Sequence, residues 1–114
     1  MPHDRLQERL DELDLACQAL ERESEDLRRA IASVSEMRRA GLSASEIVEH
    51  GPGTGARRRV REASLRLTRA LHAYRTELVR SMVDEEDRTI AEVARVTRNA
   101  RQVISRLYHE ASPR

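Results

Sequence analysis

The chain contains no phenylalanine, no tryptophan and no lysine, one cysteine, three prolines and four glycines in 114 residues. With Tyr74 and Tyr108 as its only aromatics, a small monomer has few large groups to bury, so apolar burial is expected from association as well as internal packing. Cys17 is alone and cannot close an internal disulfide, which agrees with a reducing compartment. At a position inside an apolar stripe it reads as a small core residue and not as a nucleophile. No apolar run approaches the roughly 20 residues of a membrane span, and the opening MPHDRLQERL has no signal-peptide core. These absences predict a soluble protein of the cytoplasm with no membrane partner.

Metal and nucleotide chemistry lack their parts too. His3, His50, His72 and His109 are scattered along the chain and with one Cys form no zinc ligand set. The adjacent carboxylates Asp84, Glu85, Glu86 and Asp87 lack the spaced ligands of a calcium loop and read as a solvated helix end. The stretch GPGTGARRR has no Gly-Lys-Ser/Thr leading into a helix after a strand, so it is a linker and not a phosphate loop. No nucleophile is paired with a base. The expectation is a non-enzyme without catalytic residues, metal or cofactor.

Ala, Leu, Glu and Arg, in contrast, make up 61 residues, a bias that predicts an all-α chain of long helices or coiled coil. Arginine supplies all 21 basic residues, which reflects gene composition more than selection at each site. Where the charge lies therefore matters more than its type. The net charge of +1 hides a segregation: residues 1–40 carry 7 Arg against 10 acids, residues 57–83 carry 8 against 2, and residues 88–114 carry 6 against 2. The basic part is the C-terminal part.

Residues 5–39 follow a heptad, with Leu6, Leu13, Leu20, Leu27 and Val34 at d and Leu10, Cys17, Ser24 and Ile31 at a. That register predicts a coiled-coil dimerisation helix over 1–40. In a parallel homodimer Arg9 faces Asp14 of the second copy and Glu23 faces Arg28, both attractive. Each such exposed pair contributes only about 0.2–1 kcal/mol, and Ser24 weakens its layer. The same stripe also suits a helix that folds back on its own chain, and periodicity does not choose between the two.

A short helix over 44–49, opened by a Ser43/Glu46 capping box and a Leu42–Ile47 staple, is followed by a Gly-rich connector, so that 41–55 links the long helices. A second long helix spans 56–84, with Val60, Ser64, Leu67, Leu71, Tyr74 and Leu78 as its apolar stripe. At its start Arg57, Arg58, Arg59 and Arg61 oppose the helix macrodipole. That hints at an anionic partner, against the blander reading of a solvated charge run.

The C-terminal stretch TIAEVARVTRNARQVISRLY reads as two short amphipathic helices. Thr89 and Glu92 form a capping box, Ile90, Val93, Ala94 and Val96 supply the first apolar face, and Val103, Ile104 and Leu107 the second. Helices this short need a third to close on, and Leu78, Val79, Met82 and Val83 at the end of the long helix provide it, giving a domain over 73–111. IAEVARVT followed by ARQVISRLY resembles the helix-turn-helix of bacterial transcription regulators and of sigma-factor region four. That resemblance covers about the last quarter of the chain. It implies that Ala94 allows the close helix crossing and that Arg101, Gln102, Ser105 and Arg106 reach bases or phosphates in the major groove, with Thr89, Arg98 and Asn99 as flanking contacts. Where the family carries Gly in the turn, this chain has Arg98, Asn99 and Ala100, and Asn99 is the expected helix cap.

The resulting expectation is a homodimeric, sequence-selective regulator on double-stranded DNA, located in the cytoplasm at the nucleoid. The alternatives are a coiled-coil adaptor, for example one in contact with RNA polymerase, and a non-specific nucleoid-packing protein. The terminal Ser112, Pro113 and Arg114 are expected to fray.

Overall fold

The computed structural model describes residues 4–111; His3 and the terminal residues expected to fray lie outside them. The described residues are all α. Five helices, α1 (Arg5–Arg39), α2 (Ala44–His50), α3 (Gly55–Arg80), α4 (Ile90–Thr97) and α5 (Arg101–Ala111), follow in order, and α3 runs directly into a π-type turn at Ser81–Glu85. Among the described residues no helix is long and apolar enough to cross a membrane. The chain divides into two compact units, Leu15–Leu67 and Met1–Asp14 with Thr68–Arg114, so α1 and α3 each contribute to both.

In the unit Leu15–Leu67, α1 and α3 lie antiparallel. Cys17 and Leu20 share a depression with Leu67, Glu23 is bound to Arg59 at 2.9 Å, and Leu27 and Val34 share a groove with Ala56. The most buried side chains here are Ala16 and Ala19 on α1 and Ala56 and Ala63 on α3. Methyl groups at these positions let two helix backbones approach closely.

Within this unit the single chain folds back on itself, and that changes which face of α1 is covered. Leu6, Leu13, Leu20, Leu27 and Val34, at d, and Cys17 and Ser24, at a, are half-buried, while Leu10 and Ile31, also at a, stand 38% and 58% exposed. The buried stripe is rotated from a/d toward Ala16, because α3 offers alanines that only another small side chain can meet at short range. Two of the four charges expected between copies are engaged within the chain: Glu23 with Arg59, and Arg9 with Glu12 at 3.0 Å. On α3 the covered stripe is Ala56, Val60, Ala63, Leu67, Ala70, Tyr74 and Glu77, leaving Ser64 and Leu71 exposed.

Between these helices, Gly41 at φ +95° ends α1 in a backbone conformation that costs glycine nothing. Ser43 and Glu46 exchange both capping-box bonds, and α2 runs one residue longer than expected. Hydrogen bonding to Ser43 holds the Glu46 carboxyl below its ordinary value.

The second unit has its own core. Val79 and Met82 from the end of α3 and the π turn, Val93 and Ala94 from α4, and Ile104 and Leu107 from α5 are buried together, with Val83, Ile90, Val103 and Tyr108 packed around them. Beside this core lies an ionic cluster built on the buried Glu77 and Arg80. The Glu77 carboxylate accepts a hydrogen bond from Arg80 Nε at 2.6 Å and an ion pair from Arg5 at 3.3 Å. Arg80 also donates to Glu85 at 2.9 Å, and the Ser81 hydroxyl donates to the other Glu85 oxygen at 2.8 Å. The wide turn, closed by Glu86 N–H on Ser81 O, brings Glu85 within reach of Arg80. The acidic run stays exposed at the end of the helix, as expected, and two of its members are also engaged: Glu85 closes this cluster, and Asp84 accepts the Tyr108 hydroxyl at 2.7 Å.

Candidate nucleic-acid interface

The candidate interface begins at the cap of α4. Thr89 Oγ1 accepts the Glu92 amide at 3.1 Å and the Glu92 carboxylate accepts the Thr89 amide at 3.2 Å. These bonds fix where the helix starts and hold the Glu92 carboxyl below its ordinary value. Two turns later α4 stops at Arg98, whose φ of 58° and ψ of 40° are left-handed. The Asn99 amide then returns to Ala94 O at 3.0 Å, closing a Schellman turn without glycine. Ala94 and Val93 are buried beneath it, and the Thr97 hydroxyl bonds back to Val93 O at 2.7 Å. Val96, expected on the apolar face, points outward instead.

Asn99 does not cap α5. Its side-chain amide donates to Thr97 O at 3.1 Å, and Ala100 takes the capping position, its carbonyl accepting the Val103 and Ile104 amides. Asn99 thus braces the turn, while the first turn of α5 starts from a residue with no side-chain acceptor.

On α5, Ile104 and Leu107 are buried and Arg101, Gln102 and Arg106 are exposed, with Ser105 half-buried. The structure brings these four polar residues together along one shallow depression, completed by Ile90, His109 and Glu110. Thr89, Arg98 and Asn99 are also exposed but do not line it. Arg101 and Arg106 form no ion pair among the described residues, so their forks are free for an anion. Ile90, His109 and Glu110 were missed from sequence, although His109 and Glu110 follow Ser105 and Arg106 by one helical turn and so share their face. His109 Nδ1 sits 2.6 Å from Ser105 O, and the Glu110 carboxylate lies 2.6 Å from His72 Nε2 on α3. Glu110 is the one carboxylate in the lining and is held at its edge by that contact. A rigid apolar back and a cationic, amide-bearing front suit α5 to contact with a polyanion whose edges offer acceptors and donors.

No protein-family model, no curated protein and no solved structure matches this chain.

Proposed function

We propose that the protein is a DNA-binding transcription regulator of the nucleoid, with α5 entering the major groove. The observation that supports this reading most directly is the division of α5: Ile104 and Leu107 lock it into the core while Arg101, Gln102, Ser105 and Arg106 face one open depression. In mechanism, the arginines neutralise phosphates and set the register. Gln102, able to donate and accept in one plane, reads a base edge, adenine being the geometric match.

A parallel homodimer along α1 would have Leu10 and Ile31 as its outward a-position side chains, because the d positions are half-covered within the chain. We therefore propose one recognition head per chain, acting on a single half-site.

Footprinting on genomic fragments across a salt series tests this. Discrete protected sites are expected, with Gln102→Ala relaxing the sequence preference and Arg101→Ala or Arg106→Ala lowering the salt slope by about one each. Equal protection of all fragments would assign the protein to non-specific packing, and no binding at moderate salt would leave the adaptor reading.

A further inference from the structure

The unit Leu15–Leu67 carries a groove of about 310 Å³ between the end of α1, α2 and the start of α3. Its walls are aliphatic, including Leu27, Ile31, Val34, Ile47 and Val48, and its one charged lining residue is Arg57. Ile31 and Val48 are left 58% and 83% exposed, an apolar surface in water that calls for a partner.

Arg57 is also the first of a run of exposed arginines on the same helix. Arg57, Arg58 and Arg61 are exposed on the first turns of α3 and form no ion pair among the described residues, whereas the neighbouring Arg59 is held by Glu23. Arg57 and Arg61 are one turn apart, where like charges repel, and all three sit at a helix start, where cations are disfavoured. Folding alone does not reward this placement.

We propose that the groove is a docking site for an amphipathic helix of another protein, with aliphatic residues at i, i+3, i+4 and i+7 entering the cleft and carboxylates along its flank meeting Arg57, Arg58 and Arg61. One occupant of this chemistry accounts for both the exposed aliphatics and the unpaired arginines. Nucleic acid accounts only for the arginines, since the groove offers no aromatic for stacking bases. The groove shares no lining residue with the α5 depression, and the proposal does not depend on DNA binding.

The test uses the full chain and two synthetic helical peptides with the same leucine stripe, one flanked by Glu and one by Lys. The acidic peptide is expected to bind at least about tenfold more tightly and to shift the methyl resonances of Ile31, Ile47 and Val48. Val48→Asp, on a side chain already in solvent, should abolish binding with the thermal melt unchanged, and Arg57→Glu with Arg58→Glu and Arg61→Glu should reverse the preference. Equal affinity for both peptides, no binding by either, or shifts confined to other residues would overturn the proposal. So would a dimer in sedimentation that Val48→Asp dissolves, which would give the groove to a second copy, or duplex DNA shifting the same methyls.

Discussion

Arg98 holds a left-handed conformation that costs an L-residue roughly 1–2 kcal/mol, at the position where the resembled family carries glycine. The turn forms because Asn99 N–H reaches Ala94 O and the Asn99 side chain reaches Thr97 O, over a core in which Val93, Ala94 and Ile104 are buried. Arg98→Gly removes the strain but frees the unfolded chain, so the net gain should be about 0.5–1 kcal/mol in urea denaturation. If Arg98 also touches a phosphate, the same variant binds DNA more weakly with a salt slope reduced by about one; an unchanged slope would remove Arg98 from the interface. That this turn departs from the glycine pattern was legible in Arg98, Asn99 and Ala100. That Asn99 would brace the turn instead of capping α5 was not, because a cap depends on a difference of one residue in where the helix starts.

At the level of elements, the local signals were sufficient where the physics is local. Both capping boxes, the connector and the end of α1 at Gly41 depend on residues within a turn of one another, and the structure has them there. The facing of the long helices was less legible, because a periodic stripe records an apolar side without recording the shape of what covers it. Leucines at a and d outweighed Ala16 and Ala19 in the reading, yet Ala16 is fully buried and Ile31 is not. This yields a discriminating substitution. Under the expected parallel seam Ala16 flanks the interface and tolerates leucine; packed inside the chain, Ala16→Leu forces three extra carbons between α1 and α3. The variant should lose about 1–3 kcal/mol by chemical denaturation, and unchanged or raised stability would point to the intermolecular seam. Sedimentation of the unmodified chain should correspondingly give a monomer, with Ile31→Asp leaving its mass unchanged.

For the molecule as a whole, charged side chains do structural work that a hydropathy stripe conceals. Glu77 is almost wholly buried with Arg80, and Arg5 from the first turn of α1 completes the pair. Removing Glu77 leaves the buried Arg80 with only exposed carboxylates, Glu85 and Asp84, as partners, so Glu77→Ala should cost on the order of 3 kcal/mol in denaturation. The pH dependence follows from the exposed members. Arg80 first, then Ser81, hold the Glu85 carboxyl below the ordinary 4.5; Thr89 does the same for Glu92 and Ser43 for Glu46. A carboxyl whose folded value is depressed releases its proton more readily in the native state than in the unfolded one. Its contribution is fully present above the unfolded value and is lost as pH falls through the folded value. Thermal melts should therefore be level above the ordinary carboxyl value of 4.5 and fall as the pH drops below it toward the depressed folded values. Glu85→Gln should lower the melting temperature at neutral pH while flattening that acid limb, because the glutamine keeps the shape and loses the titration. An acid limb as steep in Glu85→Gln, Glu92→Gln and Glu46→Gln as in the unmodified chain would mean that other carboxylates govern acid unfolding, and that the two caps and the Arg80 cluster do not set its pH dependence.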